Sequence, residues 1–462
     1  MYGKGYNQLK KQNRLESTFV FNLNYTFLPY VTRAYHPDFS KNGFLHIIGA
    51  LSRIICNKSI ELPKDVKIVD NIVENEFMDY DDEKYYIKKL VSNYLGDGDN
   101  LNIFHPKLFL FLPLTEGVDT KTNDMRKAEK KLAKFLNDVL FKDIDFKGFF
   151  ENYKGDSNIL IQFIIENLVN LENMGYEVEY LIPKPLKFIK QTFEEDIKFL
   201  LEKNESFLIE NFESIVIFYY FFYISQFSIY VNKSEKVDGV MPLYFLLDWE
   251  KAGKNRKAIK HYKKLNDYFN DLLIKMYSTE YLNVLIDRDN NEGNLIYFEI
   301  KEYVNKLENQ NKQEFLKYLK LWIKDLRDAK NLGECSFDND FESLVKLLED
   351  TITLGIKDKD GTFTTKRHYA RNAIEFVKKT FIKSRGRYGL VLNISQEFLL
   401  LITALVVKDD KMRINDLFKE YEKRGLFFDQ ESKKEIVNRL DNLTYIDKKS
   451  DSGDAQYVKS IL

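Results

Sequence analysis

The stretch that decides the fold is residues 395–462, SQEFLLLITALVVKDDKMRINDLFKEYEKRGLFFDQESKKEIVNRLDNLTYIDKKSDSGDAQYVKSIL. Ser395 offers a side-chain oxygen to the open N–H groups of a helix start. The helix it begins places Phe398, Leu399, Ile402, Leu405 and Val406 on one apolar face. Lys411-Met412-Arg413-Ile414 reads as a short extended piece. Asn415 is expected to cap a second helix with Leu417, Phe418 and Tyr421 inward. Gly425 closes it, at the position past a helix end where left-handed backbone favours glycine. Asp429 is expected to cap a third helix, with Ile436, Val437, Leu440 and Leu443 on its apolar face. Two extended runs, 444–447 and 456–461, flank the polar turn KKSDSGDA and predict a β-hairpin. Helix, strand, helix, helix, hairpin is the order of a winged helix.

In a winged helix that reads DNA, the third helix enters the major groove and the hairpin touches the backbone. The outward candidates on the third helix are Lys433, Lys434, Asn438 and Arg439. Glu431, Glu435 and Asp441 share that helix, and Asp447, Asp451 and Asp454 surround Lys448 and Lys449. Those acids oppose phosphate, and winged helices also dock proteins, so both partners stay open at this point.

Working outward, the segment before this unit is strongly basic. Lys366, Arg367, Arg371, Lys378, Lys379, Lys383, Arg385 and Arg387 are accompanied by a single acid, Glu375. An earlier cluster gathers Lys251, Lys254, Arg256, Lys257, Lys260, Lys263 and Lys264, with His261 and Tyr262 interleaved. Phosphate binding requires such clusters and nothing more sequence-specific. The plain alternative is a solvated helix face or an acidic protein partner. AT-rich coding also inflates lysine counts in a chain this rich in Lys, Asn, Ile and Phe. DNA contact is expected from the 366–387 cluster and from the third helix.

The whole chain points to no polyanion, because 70 Lys+Arg against 71 Asp+Glu leave a net charge of -1. Attraction to nucleic acid must therefore come from local patches. Gly 20 and Pro 8 in 462 residues is about half the usual combined share of about 12%. A chain so poor in breakers is expected to be mainly α. The expected organisation is an N-terminal helical domain over 1–231, a central helical domain with the basic clusters over 232–392, and a winged-helix domain over 393–462. The polar segment NKSEKVDG (232–239) is the first linker. Residues 44–51 suit a buried helix, HPKLFLFLPL (105–114) a short extended element between prolines, and 117–126 a polar loop. Helical periodicity continues over 156–180 and 186–231.

No cofactor or metal site is expected. Cys56 and Cys335 are the two cysteines, and none of the five histidines forms an i,i+4 pair. No phosphate-cradling G-x-x-x-x-G-K-[ST], no dinucleotide G-x-G-x-x-G after a strand, no H-E-x-x-H and no G-x-S-x-G occurs. The chain is therefore read as no enzyme. One alternative is a Mg²⁺ nuclease built on Asp289, Glu299 and Lys301, the order of a D…E-x-K site. Its run NLIYFEIKEYVNKL has helical spacing, which does not suit carboxylates on adjacent strands. A winged-helix transcription regulator is a further alternative. The basic N-terminus lacks the apolar region of a secretory signal. Ile215–Val231 is uncharged and long enough to test as a membrane span, but its tyrosines, serines and Gln226 read as a buried core helix. A cytoplasmic protein without membrane contact is expected.

The ending SDSGDAQYVKSIL (450–462), behind the Leu-rich helix SQEFLLLITALVV (395–407), resembles the C-terminus of the DptG family. FLPYVTRAY (27–35) followed by GALSRIICN (49–57) is similar in kind. That family is the G component of the phosphorothioation-dependent Dnd restriction system. The resemblance covers about the last 70 residues firmly, and the rest only in size and helical character. It implies a cytoplasmic defence protein working beside an F component and a large H component with ATPase motifs. Together these attack DNA that lacks sulfur in its backbone. The family brings no catalytic motif to carry over.

Overall fold

Few helix breakers and apolar residues three and four apart give a mainly helical chain in the computed structural model. It describes residues 2–12, 27–29, 43–62, 68–76, 81–96, 101–115, 120–153, 155, 158–180, 182–286, 295–358, 360–448 and 456–462. The chain forms two compact units, one of 36–179 with 194–217, the other of 1–35, 180–193 and 218–462.

In the first unit, helix α1 (Leu45–Ile55) is buried along nearly its whole length and packs on α2 (Thr120–Leu136). Residues 105–114 are not extended as expected: Pro106–Phe111 is a 3-10 helix. Pro106 presets its first turn. The His105 ring accepts from the Lys107 N–H at 3.1 Å, and Leu108 to Phe111 are all buried. Its open carbonyls are met by Arg53, wholly buried, whose guanidinium donates to the carbonyls of Leu110, Leu112 and Ile60 at 2.9, 2.7 and 2.9 Å. The expected loop 117–126 is likewise shorter, because α2 begins at Thr120. The expected helix over 156–180 stops early: Ile159–Glu166 is helical, and Asn173 further on bridges antiparallel to Lys58.

Helix α3 (Glu205–Val231) has 27 residues, and 94% of its apolar window is buried inside the protein. Among the described residues it is the one helix long and apolar enough to cross a membrane. Ser225, Gln226 and Ser228 in its middle are answered within the fold. Ser228 donates to the Ile224 carbonyl at 2.7 Å, and the Gln226 amide exchanges two hydrogen bonds with the Met241 backbone. That is the arrangement of a core helix.

The second unit is built on α4 (Lys257–Leu285), against which the helix Tyr2–Gln12 packs. After α4 come α5 (Tyr297–Lys306), the helices Asn309–Ala329 and Phe341–Gly355, and α6 (Thr364–Phe381). A small sheet joins distant parts: β1 (Leu246–Leu247) runs parallel to β3 (Leu390–Ile394), which is antiparallel to β2 (Ile382–Ser384). Leu246, Ala258 and Val391 pack together where α4 meets this sheet.

The C-terminal segment gives α7 (Gln396–Val407), β4 (Met412–Arg413), α8 (Ile414–Lys423), α9 (Gln430–Asn442), β5 (Ile446–Lys448) and β6 (Gln456–Val458). The last three strands form an antiparallel sheet in the order β4-β6-β5. Ser395 caps α7 by accepting from the Phe398 N–H, and Asp429 caps α9 by accepting from Ser432 N–H at 3.1 Å. Gly425 sits at φ +79°, and the next N–H returns to the Tyr421 carbonyl. Asn415 is not the cap of α8. The chain enters that helix directly from β4 at Arg413, so no side chain caps it. Leu417, Tyr421, Ile436 and Leu440 are fully buried, whereas Val437 and Leu443 are half-buried. The hairpin turn 449–455 lies outside the described residues. The expected boundaries at 231/232 and 392/393 both fall inside this second unit, the latter within β3 itself.

Candidate nucleic-acid interface

Helix α6 exists because Tyr369, Ala370, Ala373, Phe376, Val377 and Phe381 form one buried face. Its start is fixed by Asp358, whose carboxylate accepts from the Thr364 N–H at 2.8 Å and from the Thr362 hydroxyl at 2.8 Å. The Thr364 N–H and these hydroxyls hold the Asp358 carboxyl below the usual range. The face that remains carries Arg367, Arg371, Lys378 and Lys379, all exposed. Lys366 is pinned to Asp271 of α4 at 2.7 Å.

Beyond α6 the β2–β3 turn holds the other cations. Lys383 pairs with Asp248 at 2.8 Å. Arg385 points inward, donating to the Leu247 carbonyl and to the Asn393 side chain, each at 2.6 Å, so it fastens β1 to the turn. Arg387 is exposed and lies on the Tyr388 ring, 4.9 Å from its centre. An exposed ion pair is worth about 0–1 kcal/mol, so Lys383 can leave its partner at little expense. Arg385 cannot do so, because its acceptors are backbone and buried amide.

On α9 the expected contacts divide in the same way. Lys433 reaches Glu422 of α8 at 3.0 Å and lies 4.9 Å over the Phe418 ring. The Arg439 guanidinium lies 4.6 Å over Trp249. Lys434 and Asn438 are exposed and border an open groove of about 460 Å³ between α8 and α9, floored by Phe418 and Val437.

The start of α9 is held by Arg256, which is 6% exposed. Its guanidinium donates to Asp429 at 2.8 Å, Glu250 at 2.9 Å and the Ser432 hydroxyl at 2.6 Å. Burial alone would raise the Asp429 carboxyl, but Arg256 and the Ser432 N–H outweigh it and hold it below the usual range. Arg256, read from sequence as one cation of a basic cluster, is thus a structural tie. Nothing local in the sequence signals this, since Asp429 is 173 positions away. No protein-family model and no curated protein matches the chain.

The other members of that cluster are placed differently: Lys251, Lys254, Lys257, Lys260, Lys263 and Lys264 are exposed. Of the D…E-x-K constellation, Glu299 and Lys301 stand on α5, not on a strand. Glu299 accepts from the Ile296 N–H at 3.1 Å, the work of a helix-start carboxylate, and Lys301 pairs with Glu342. Asp289 lies outside the described residues. Among the described residues no three His, Cys, Asp or Glu are grouped so as to hold a metal ion.

Proposed function

We propose that the chain is an accessory, non-catalytic subunit of a phosphorothioation-dependent DNA restriction complex, docking DNA, the ATPase partner or both. In this reading 393–462 is a winged helix, and the exposed cations of α6 lie on phosphates. The observation that carries it is the C-terminal arrangement: one helix, a strand, two helices and two strands, with the first strand paired to the last. The resemblance of the same segment to DptG supplies the complex, its F and H components and the cytoplasmic setting. Support for a DNA-facing side comes from Arg367, Arg371, Lys378 and Lys379 standing exposed on one helix.

The test is co-purification of the intact chain with the products of its neighbouring genes, with and without DNA. An ATPase component retained with the chain, and duplex DNA bound by the assembly, is the expected result. A chain that retains neither, or that cleaves DNA alone with Mg²⁺ and loses this in Glu299→Gln, overturns the reading.

A further inference from the structure

We propose that the lysine-rich start of α4 and the loop before it form, with α6 and the β2–β3 turn, one continuous phosphate-binding surface for duplex DNA. The inference rests on reading the 366–387 cations as phosphate contacts, and extends that site to residues more than a hundred positions upstream.

Charge is the first ground. Residues 251–266 hold seven cations and no acid. Apart from Arg256, these are six exposed lysines, and among the described residues none is paired with a carboxylate. Other lysines of the chain do find such partners, as Lys275 finds Glu349 and Lys366 finds Asp271.

The second ground is position. Cations on the opening turns of a helix oppose its dipole, which favours negative charge there. Lys257, on the first turn, therefore works against the folding of α4, and folding does not account for it.

The third ground is packing. Asp271 of α4 holds Lys366 at the start of α6, while Ala258 near the start of α4 packs on Val391 of β3. Strand β3 pairs with β2, which continues directly from the end of α6. The two helices thus run antiparallel as neighbours, and the two clusters lie on adjoining elements. From 258 to 271 α4 extends about 20 Å at 1.5 Å per residue. Duplex DNA presents one charge per about 1.7 Å of its axis, so such a length carries about a dozen phosphates around its circumference, of which one side faces the protein. A lipid surface is the poorer match. It calls for apolar side chains beside the cations, and among the described residues Leu390 is the one exposed large hydrophobic on these elements.

The experiment uses the intact chain and a short fluorescent DNA duplex of mixed sequence, titrated over a range of salt. Lys260→Glu, Lys263→Glu and Lys264→Glu together should weaken binding and flatten log K against log salt by about 0.9 per lost contact. The same variant should melt close to the parent, because all three side chains are exposed; misfolding is then not the cause of lost binding. A parallel variant, Arg371→Glu, Lys378→Glu and Lys379→Glu, reports on the α6 reading alone. If only the α6 variant loses DNA, the extension to α4 is overturned and the α6 reading stands. If neither variant changes binding, both fall. Poly-glutamate of equal charge that binds as tightly as DNA, and is lost in the α4 variant, would make the surface a protein dock and overturn the proposal.

Discussion

Two basic regions of the second unit put cations to opposite uses. On α8 and α9, five cations stand among six acids, and the structure engages four of them: Lys433 with Glu422, Lys423 with Glu420, Lys419 with Asp416, Arg439 with Trp249. At the start of α4 and along the outer face of α6, cations stand exposed and acids are scarce. The first pattern spends charge on holding helices in place, and the second leaves it facing solvent, where a polyanion can reach it. A count of Lys and Arg does not separate these cases. What separates Lys433 from the exposed lysines of 251–264 is a carboxylate that a neighbouring helix brings within reach; among the described residues those lysines have none, and Lys257 meets the Tyr244 ring and hydroxyl instead.

The sharpest way to break this contrast is at Arg256. Arg256→Ala leaves buried Glu250 and half-buried Asp429 without their cation, and should cost about 3–5 kcal/mol in denaturant unfolding. A near-zero cost would mean that the α9 side is not held by committed charge. Leu440→Ala, wholly buried on α9, should cost about 2–5 kcal/mol through lost packing. Arg439→Ala should cost about 1 kcal/mol, from the ring contact with Trp249.

The committed charges should also show in the pH dependence of stability. Asp429 has a folded pKa below its unfolded value of about 3.9. Its contribution is therefore present above that value and is lost as the pH falls through the lower folded one. An Asp429→Asn variant should weaken the acid-side decline, measured as melting temperature against pH. Smallest of all, Lys434→Ala and Lys260→Ala should each leave stability within about 0.5 kcal/mol, as exposed substitutions do. A larger loss at Lys260 would move α4 to the committed side of the comparison.

Much of the C-terminal segment was legible, because its signals are local. Ser395, Asp429 and Gly425 mark helix ends by their own chemistry, and Leu417, Tyr421, Ile436 and Leu440 repeat at helical spacing. Asn415 misled for a local reason too: an Asn beside an apolar run looks like a cap, but β4 feeds the chain into α8 one residue earlier. The 3-10 helix at 106–111 was hidden because a short unbroken apolar run between prolines also suits a buried strand. The β2–β3 turn gave little warning, with a first strand of three residues, Ile-Lys-Ser. The candidate site was legible as a list of cations and not as an arrangement. Which of them are tied down depends on Asp248, Glu250, Trp249 and Asp271, each placed by long-range packing.

The most direct measurement is lysine-reactivity footprinting of the intact chain, read by mass spectrometry with and without duplex DNA. The account predicts that DNA shields Lys257, Lys260, Lys263 and Lys264 on α4 together with Lys378 and Lys379 on α6, while Lys433 keeps its reactivity. Shielding of Lys433 and Lys434 with the α4 and α6 lysines unchanged would contradict it, and would move the DNA to the groove between α8 and α9.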